Sequence, residues 1–116
     1  MLGLLVALST WCGSADAHWT AQVVRAAGLS SAGCTGSALV VPLSGGGDLY
    51  VWAVTGPRRV VEPNMSTYVV AGVRVRVNRF RATWCAGRRV VWIQAGPTTR
   101  RLRPPANWGR LVRAAR

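Results

Sequence analysis

The chain has 116 residues, 50% of them apolar, and carries 15 basic residues against 3 acidic ones, for a formal net charge of +12. That length leaves room for one small domain, and that apolar content excludes wholesale disorder. Charge this lopsided points toward anionic partners rather than toward any one fold. Every basic residue is Arg, with Ala, Gly and Val also abundant, so GC-rich coding bias contributes to the excess. A spurious reading frame in such DNA would share this composition. Strand alternation punctuated by turn residues argues against that origin.

In chain order, the first segment is an apolar run, Leu2–Leu8, followed by small and polar residues. Ala15-Asp16-Ala17 fits an A-x-A cleavage pattern, so residues 1–17 read as a secretory signal with maturation before His18. The run is too short to span a bilayer. A second export route is lipidation at Cys12, because Cys12-Gly-Ser-Ala-Asp-Ala resembles the anchor region of a bacterial lipoprotein, although Trp11 stands where a small residue is expected. Cleavage removes Cys12 and lipidation consumes it. Cys34 and Cys85 then remain as an even pair, expected to form a disulfide in an oxidising compartment. That bridge would close a loop of about 50 residues, worth about 4 kcal/mol in the chain-entropy model. In a cytosolic chain the two would be separate buried thiols.

His18–Gly28 reads as a short helix with Thr20 as N-cap, Trp19 and Val24 as a hydrophobic staple, and Gly28 as its stop. Val23, Val24 and Ala27 form its apolar face. Residues 37–43 read as a strand placed at an edge, because Pro42 lacks the ladder N–H. SGGGD (44–48) is a turn, and LYVWAV (49–54), apolar on both faces, is a central strand. TGPRR (55–59) is a turn, 60–64 is irregular, and 66–70 is a third strand.

The segment VRVRVNRFRATW (73–84) places Val73, Val75 and Val77 on one face and Arg74 and Arg76 on the other. The phase slips at Asn78, as a β-bulge or tight turn would produce. With a bulge, Phe80, Ala82 and Trp84 join the valines in the core, while Arg74, Arg76, Arg79 and Arg81 line one outer face. A turn at CAGRR (85–89) could extend that face with Arg88 and Arg89, and 90–94 is the last strand. Residues 95–105 read as a linker carrying Arg100, Arg101 and Arg103. NWGRLVRAAR (107–116) can form a short amphipathic helix capped by Asn107, with Trp108, Leu111, Val112 and Ala115 as its stripe. The expected fold is α+β: one short N-terminal helix on a small antiparallel sheet of four to five strands, arranged as a meander over 18–96, with a basic tail or short helix over 97–116.

Chemistry-bearing residues are few. His18 is the single histidine, so neither a two-histidine metal site nor an ordered Ser-His-Asp triad is available. At a new N-terminus His18 would offer an amine and imidazole to copper. Asp48 and Glu62 would have to act together in glycoside hydrolysis, and nothing in their spacing unites them. No C-x-x-C or phosphate loop occurs, so no cofactor or metal site is expected. Trp interleaved with Arg can stack on bases or sugar rings, but Trp52, Trp84 and Trp92 sit on strands where core packing is the default. The reading is a secreted or surface-tethered protein that binds or builds at the cell envelope without catalysis. Its Arg set (Arg74, Arg76, Arg79, Arg81, Arg88, Arg89, Arg100, Arg101 and Arg103) would face an anionic polymer or lipid headgroups. The alternative is a cytosolic protein that binds nucleic acid.

Overall fold

The computed structural model describes residues 11–43, 46–56, 64–97, 99, 102 and 108–115. It is an α+β fold: an N-terminal helix on a seven-strand antiparallel sheet, with a short C-terminal helix.

Helix α1 spans Ala15–Ala26. It begins at Ser14, whose hydroxyl accepts the Ala17 N–H at 3.1 Å, and Asp16 stands in its first turn, where a negative charge suits the helix dipole. The expected cap, Thr20, lies inside the helix instead. It is buried, and its hydroxyl donates to the Asp16 carbonyl at 2.7 Å. At the other end Gly28 takes φ +76°, Leu29 N–H donates to Val24 O at 3.1 Å and Gly28 N–H to Arg25 O at 2.9 Å. This is the Schellman geometry, which a Cβ at Gly28 would strain. Val23, Val24 and Ala27 are buried, as their spacing predicts.

The strands are β1 (Gly33–Cys34), β2 (Leu39–Pro42), β3 (Asp48–Thr55), β4 (Ser66–Val70), β5 (Val73–Val77), β6 (Arg81–Ala86) and β7 (Arg89–Ala95). They lie in the order β1-β2-β3-β7-β6-β5-β4. Two meanders, β1-β2-β3 and β4-β5-β6-β7, are joined where β3 pairs β7 from Leu49↔Ala95 to Thr55↔Arg89. A single meander would have paired β3 with β4. β2 has β1 beside it only at Val40 and Leu39, so Pro42 still sits where no neighbour asks for its missing N–H.

The expected single strand across 73–84 is two strands. Asn78 N–H donates to Arg81 O at 2.9 Å, and the Asn78 side-chain oxygen accepts the N–H groups of Phe80 (3.0 Å) and Arg81 (2.8 Å). An Asx-type turn supplies the phase slip, not a bulge. Phe80 is therefore exposed in the turn, while Ala82 and Trp84 are fully buried. The β4–β5 turn uses Ala71 and Gly72 at φ +51° and +80°, the double left-handed geometry of a two-residue hairpin.

Alternation assigns one sheet face to the core: Leu39 and Val41, Leu49, Val51 and Ala53, Val75 and Val77, Ala82 and Trp84, Val91 and Ile93. α1 packs there against β2 and β3. Helix α2 (Gly109–Ala114) packs against α1 and β4. Trp108, Leu111, Val112 and Ala115 are buried, so the apolar stripe of the tail is docked on the domain; Arg110 and Arg113 stay in solvent. Asn107, the expected cap, lies outside the described residues.

Residues 11–17 belong to the folded domain. β2 begins opposite Val51, and among the described residues the rest of that edge of β3 has no strand partner. The N-terminal segment covers it: Trp11 Nε1 donates to Ala53 O at 2.9 Å, and Asp16 accepts the Thr55 N–H at 3.0 Å and hydroxyl at 2.7 Å. Cys12 is bonded to Cys34. The expected boundary before His18 falls inside α1 and would detach every one of these contacts.

Candidate functional site

The disulfide differs from the expected one. Cys34 pairs with Cys12 (Cα–Cα 6.1 Å), and Cys85 is a free, exposed thiol. Cys34 on β1 and Cys85 on β6 are separated by β2, β3 and β7. At about 4.8 Å per strand that is roughly 19 Å, beyond the ~7 Å limit for a bridge. Cys12 is retained in the fold, so Cys34 has a nearer partner than Cys85. Lipidation of Cys12 and this bridge exclude one another, because both use the same sulfur. The sulfur also accepts the Gly36 N–H at 3.1 Å.

The Arg set divides. Arg74, Arg76 and Arg81 lie on the face of the sheet opposite the helices. Arg79 and Arg88 are exposed in turns. Arg89 falls on the helix side, where its Nε meets Asp16 Oδ1 at 2.9 Å and its guanidinium lies 4.9 Å from the Trp19 ring centre. Its charge is paired there with Asp16, on the face away from Arg74, Arg76 and Arg81. Burial pushes the Asp16 carboxyl up, but hydrogen bonds from Thr55 and Arg89, with the Arg89 charge, outweigh burial and hold it below its ordinary range. Arg100, Arg101 and Arg103 lie outside the described residues, as does Glu62.

The face opposite the helices holds Trp52 and Trp92, which the strand pattern alone places in the core. Register places Trp52 beside Trp92, Trp92 beside Thr83, Thr83 beside Arg76 and Arg76 beside Thr67. A second row runs Val40, Tyr50, Gln94, Arg81. Trp52 and Trp92 are half-buried and stacked, with ring centres 5.9 Å apart and planes within 7°. Arg81 lies 5.9 Å from the Trp92 ring centre, and its Nε donates to Gln94 Oε1 at 3.0 Å. That bond fixes the guanidinium over the indole. Of the three strand Trp residues only Trp84 is in the core. β3 hid this because Leu49-Val51-Ala53 and Tyr50-Trp52-Val54 are both apolar rows. The available signal was which row alone is aliphatic: two helices rich in Val, Ala and Leu pack on aliphatic side chains.

Arg74 and Arg76 face Val69 and Thr67 across β4, and neither β4 nor β6 carries an acidic residue. From Trp52 to Arg76 the face spans three strand spacings, about 14 Å. It therefore offers aromatic ring surface at one end and positive charge at the other. His18 is exposed on α1, and Asp48 opens β3, where its carbonyl accepts the Gly96 N–H at 2.9 Å and the Thr99 hydroxyl at 2.7 Å. Among the described residues no group of three His, Cys, Asp or Glu side chains could hold a metal, and no helix is long and apolar enough to cross a membrane. No family model, curated protein or solved structure matches the chain.

Proposed function

We propose that the protein is a non-enzymatic binding module of the cell envelope that takes an anionic glycan across its open sheet face. The observation that carries this reading is the Trp52–Trp92 stack on the same face as Arg81, Arg76 and Arg74, the face opposite the two described helices. Ring faces suit the apolar side of a sugar, and guanidinium groups suit carboxylate or sulfate. The Cys12–Cys34 bridge favours an oxidising compartment over the cytosol. Stacked aromatics with Arg also suit single-stranded nucleic acid. That second reading shares the face and conflicts with the disulfide.

The test titrates the protein with polygalacturonate, a thymidylate oligomer and anionic lipid vesicles, in wild type and in Arg74→Glu/Arg76→Glu. Both positions are exposed, so the fold should survive. The expected result is polygalacturonate binding that weakens with salt and drops about tenfold or more in the variant, as lost phosphate-like contacts do elsewhere. Binding confined to the oligomer or to vesicles, or glycan binding indifferent to the reversal, overturns the reading.

A further inference from the structure

Beside the Trp pair the open face deepens into a groove of about 600 Å3. Separate parts of the chain build it: Tyr50 and Trp52 on β3, Arg81 and Gln94 on β6 and β7, and Trp11 and Ser37 from the segments beside the disulfide. The volume lies within the range of small-molecule sites, and aromatic walls with a few convergent polar groups are their usual lining. The walls are held. Trp11 is fixed through its Nε1–Ala53 O bond and through the neighbouring Cys12–Cys34 bridge. Arg81 is fixed by Gln94.

We infer that this groove binds a single uronate unit, a pyranose ring carrying a carboxylate. This rests on the glycan reading of the open face and names the unit recognised. The ring's apolar side lies on an indole, and the carboxylate meets Arg81. Hydroxyl and amide groups from Tyr50, Ser37 and Gln94 suit a ring with several hydroxyls at its edge. Arg81 separates acidic from neutral sugars, because a guanidinium–carboxylate hydrogen bond is charge-assisted and about twice as strong as a neutral one.

The probes are trigalacturonate, neutral maltotriose and polygalacturonate, followed by calorimetry and Trp fluorescence. Ser37→Trp fills the groove from an exposed position. Gln94→Ala is the second variant, should the first perturb folding. Trigalacturonate is expected to bind at least about tenfold more tightly than maltotriose, and either variant to weaken it by about tenfold. Polymer affinity should fall less than trimer affinity in Ser37→Trp, because Arg74 and Arg76 lie outside the groove; Gln94→Ala also removes the bond that holds Arg81 and should weaken both ligands. If the polymer binds but the trimer does not, or if the trimer ignores both variants, the groove assignment fails and the face reading stands. If maltotriose binds as well as trigalacturonate, the acidic class is wrong. If neither trimer nor polymer binds, the face reading fails and takes the groove with it.

Discussion

Replacing Cys12 by Ser should destabilise the protein by an amount set by loop length. The bridge joins residues 22 apart. In the chain-entropy model, closing a loop of that size in the unfolded chain costs about 11 cal/mol/K, or about 3 kcal/mol at 25 °C. For a domain near this size each kcal/mol moves the melting temperature by about 4–8 °C, so a drop of roughly 10–25 °C is expected. Cys34→Ser should give the same drop, and the double variant no more, since the two residues form one bond. Cys85→Ser should leave stability unchanged within about 0.5 kcal/mol, as exposed substitutions usually do. A chain beginning at His18 should fare worse than Cys12→Ser, because it also loses Trp11, the Ser14 cap and Asp16. The assay is thermal and urea unfolding followed by Trp fluorescence and circular dichroism, with and without reductant. A normal Cys12→Ser melt, or a Cys85→Ser melt as low as that expected for Cys34→Ser, would refute the pairing, and a His18-start chain that melts no lower than Cys12→Ser would refute the membership of residues 11–17 in the fold.

Asp16→Asn should cost about 1–3 kcal/mol at neutral pH, because it weakens charge-assisted hydrogen bonds. The folded Asp16 pKa lies below its unfolded value, so its contribution is present above about pH 4 and is lost as pH falls through the folded pKa. Acid titration of wild type and variant should therefore converge at low pH; a constant gap would contradict this. Gly96→Ala should destabilise by about 1–3 kcal/mol, because a Cβ there runs into the side chain and backbone oxygen of Asp48. Trp84 is fully buried and its Nε1 has no hydrogen-bond partner among the described residues. Trp84→Phe relieves that N–H while leaving a small void, so it should cost well under the about 3–5 kcal/mol expected of Trp84→Ala. A Trp84→Phe loss above about 2 kcal/mol in the urea melt would mean that the indole N–H is satisfied.

Much of the fold was legible where alternation was clean. Val73-Val75-Val77 against Arg74-Arg76 announces a strand with one wet face, and β3 announces a central strand because both its faces are apolar. The pairing of β3 with β7 was not legible, because register depends on what a strand meets rather than on its own pattern. For the same reason the β3 pattern does not say which of its two apolar rows faces the helices, and the Trp pair lies on the opposite side from the one that core packing by default would give it. The turn at Asn78 was half-legible: the phase slip was visible, but an Asx turn and a bulge displace the phase equally. At the N-terminus two patterns overlap. Ser14-Ala15-Asp16-Ala17 satisfies both a cleavage site, which wants small residues, and a helix start, which wants a Ser cap and an early Asp. The cysteine pairing followed that choice, since discarding Cys12 left Cys34 with the wrong partner.

If the sheet face opposite the helices is the binding surface, its Trp pair must sense the ligand. The six Trp indole N–H groups give separate nitrogen–proton resonances, which can be followed while polygalacturonate is added. The Trp52 and Trp92 signals should move together and saturably, while those of the fully buried Trp84 and Trp108 stay in place. Saturable binding that leaves Trp52 and Trp92 unmoved would place the ligand elsewhere and contradict the proposed surface.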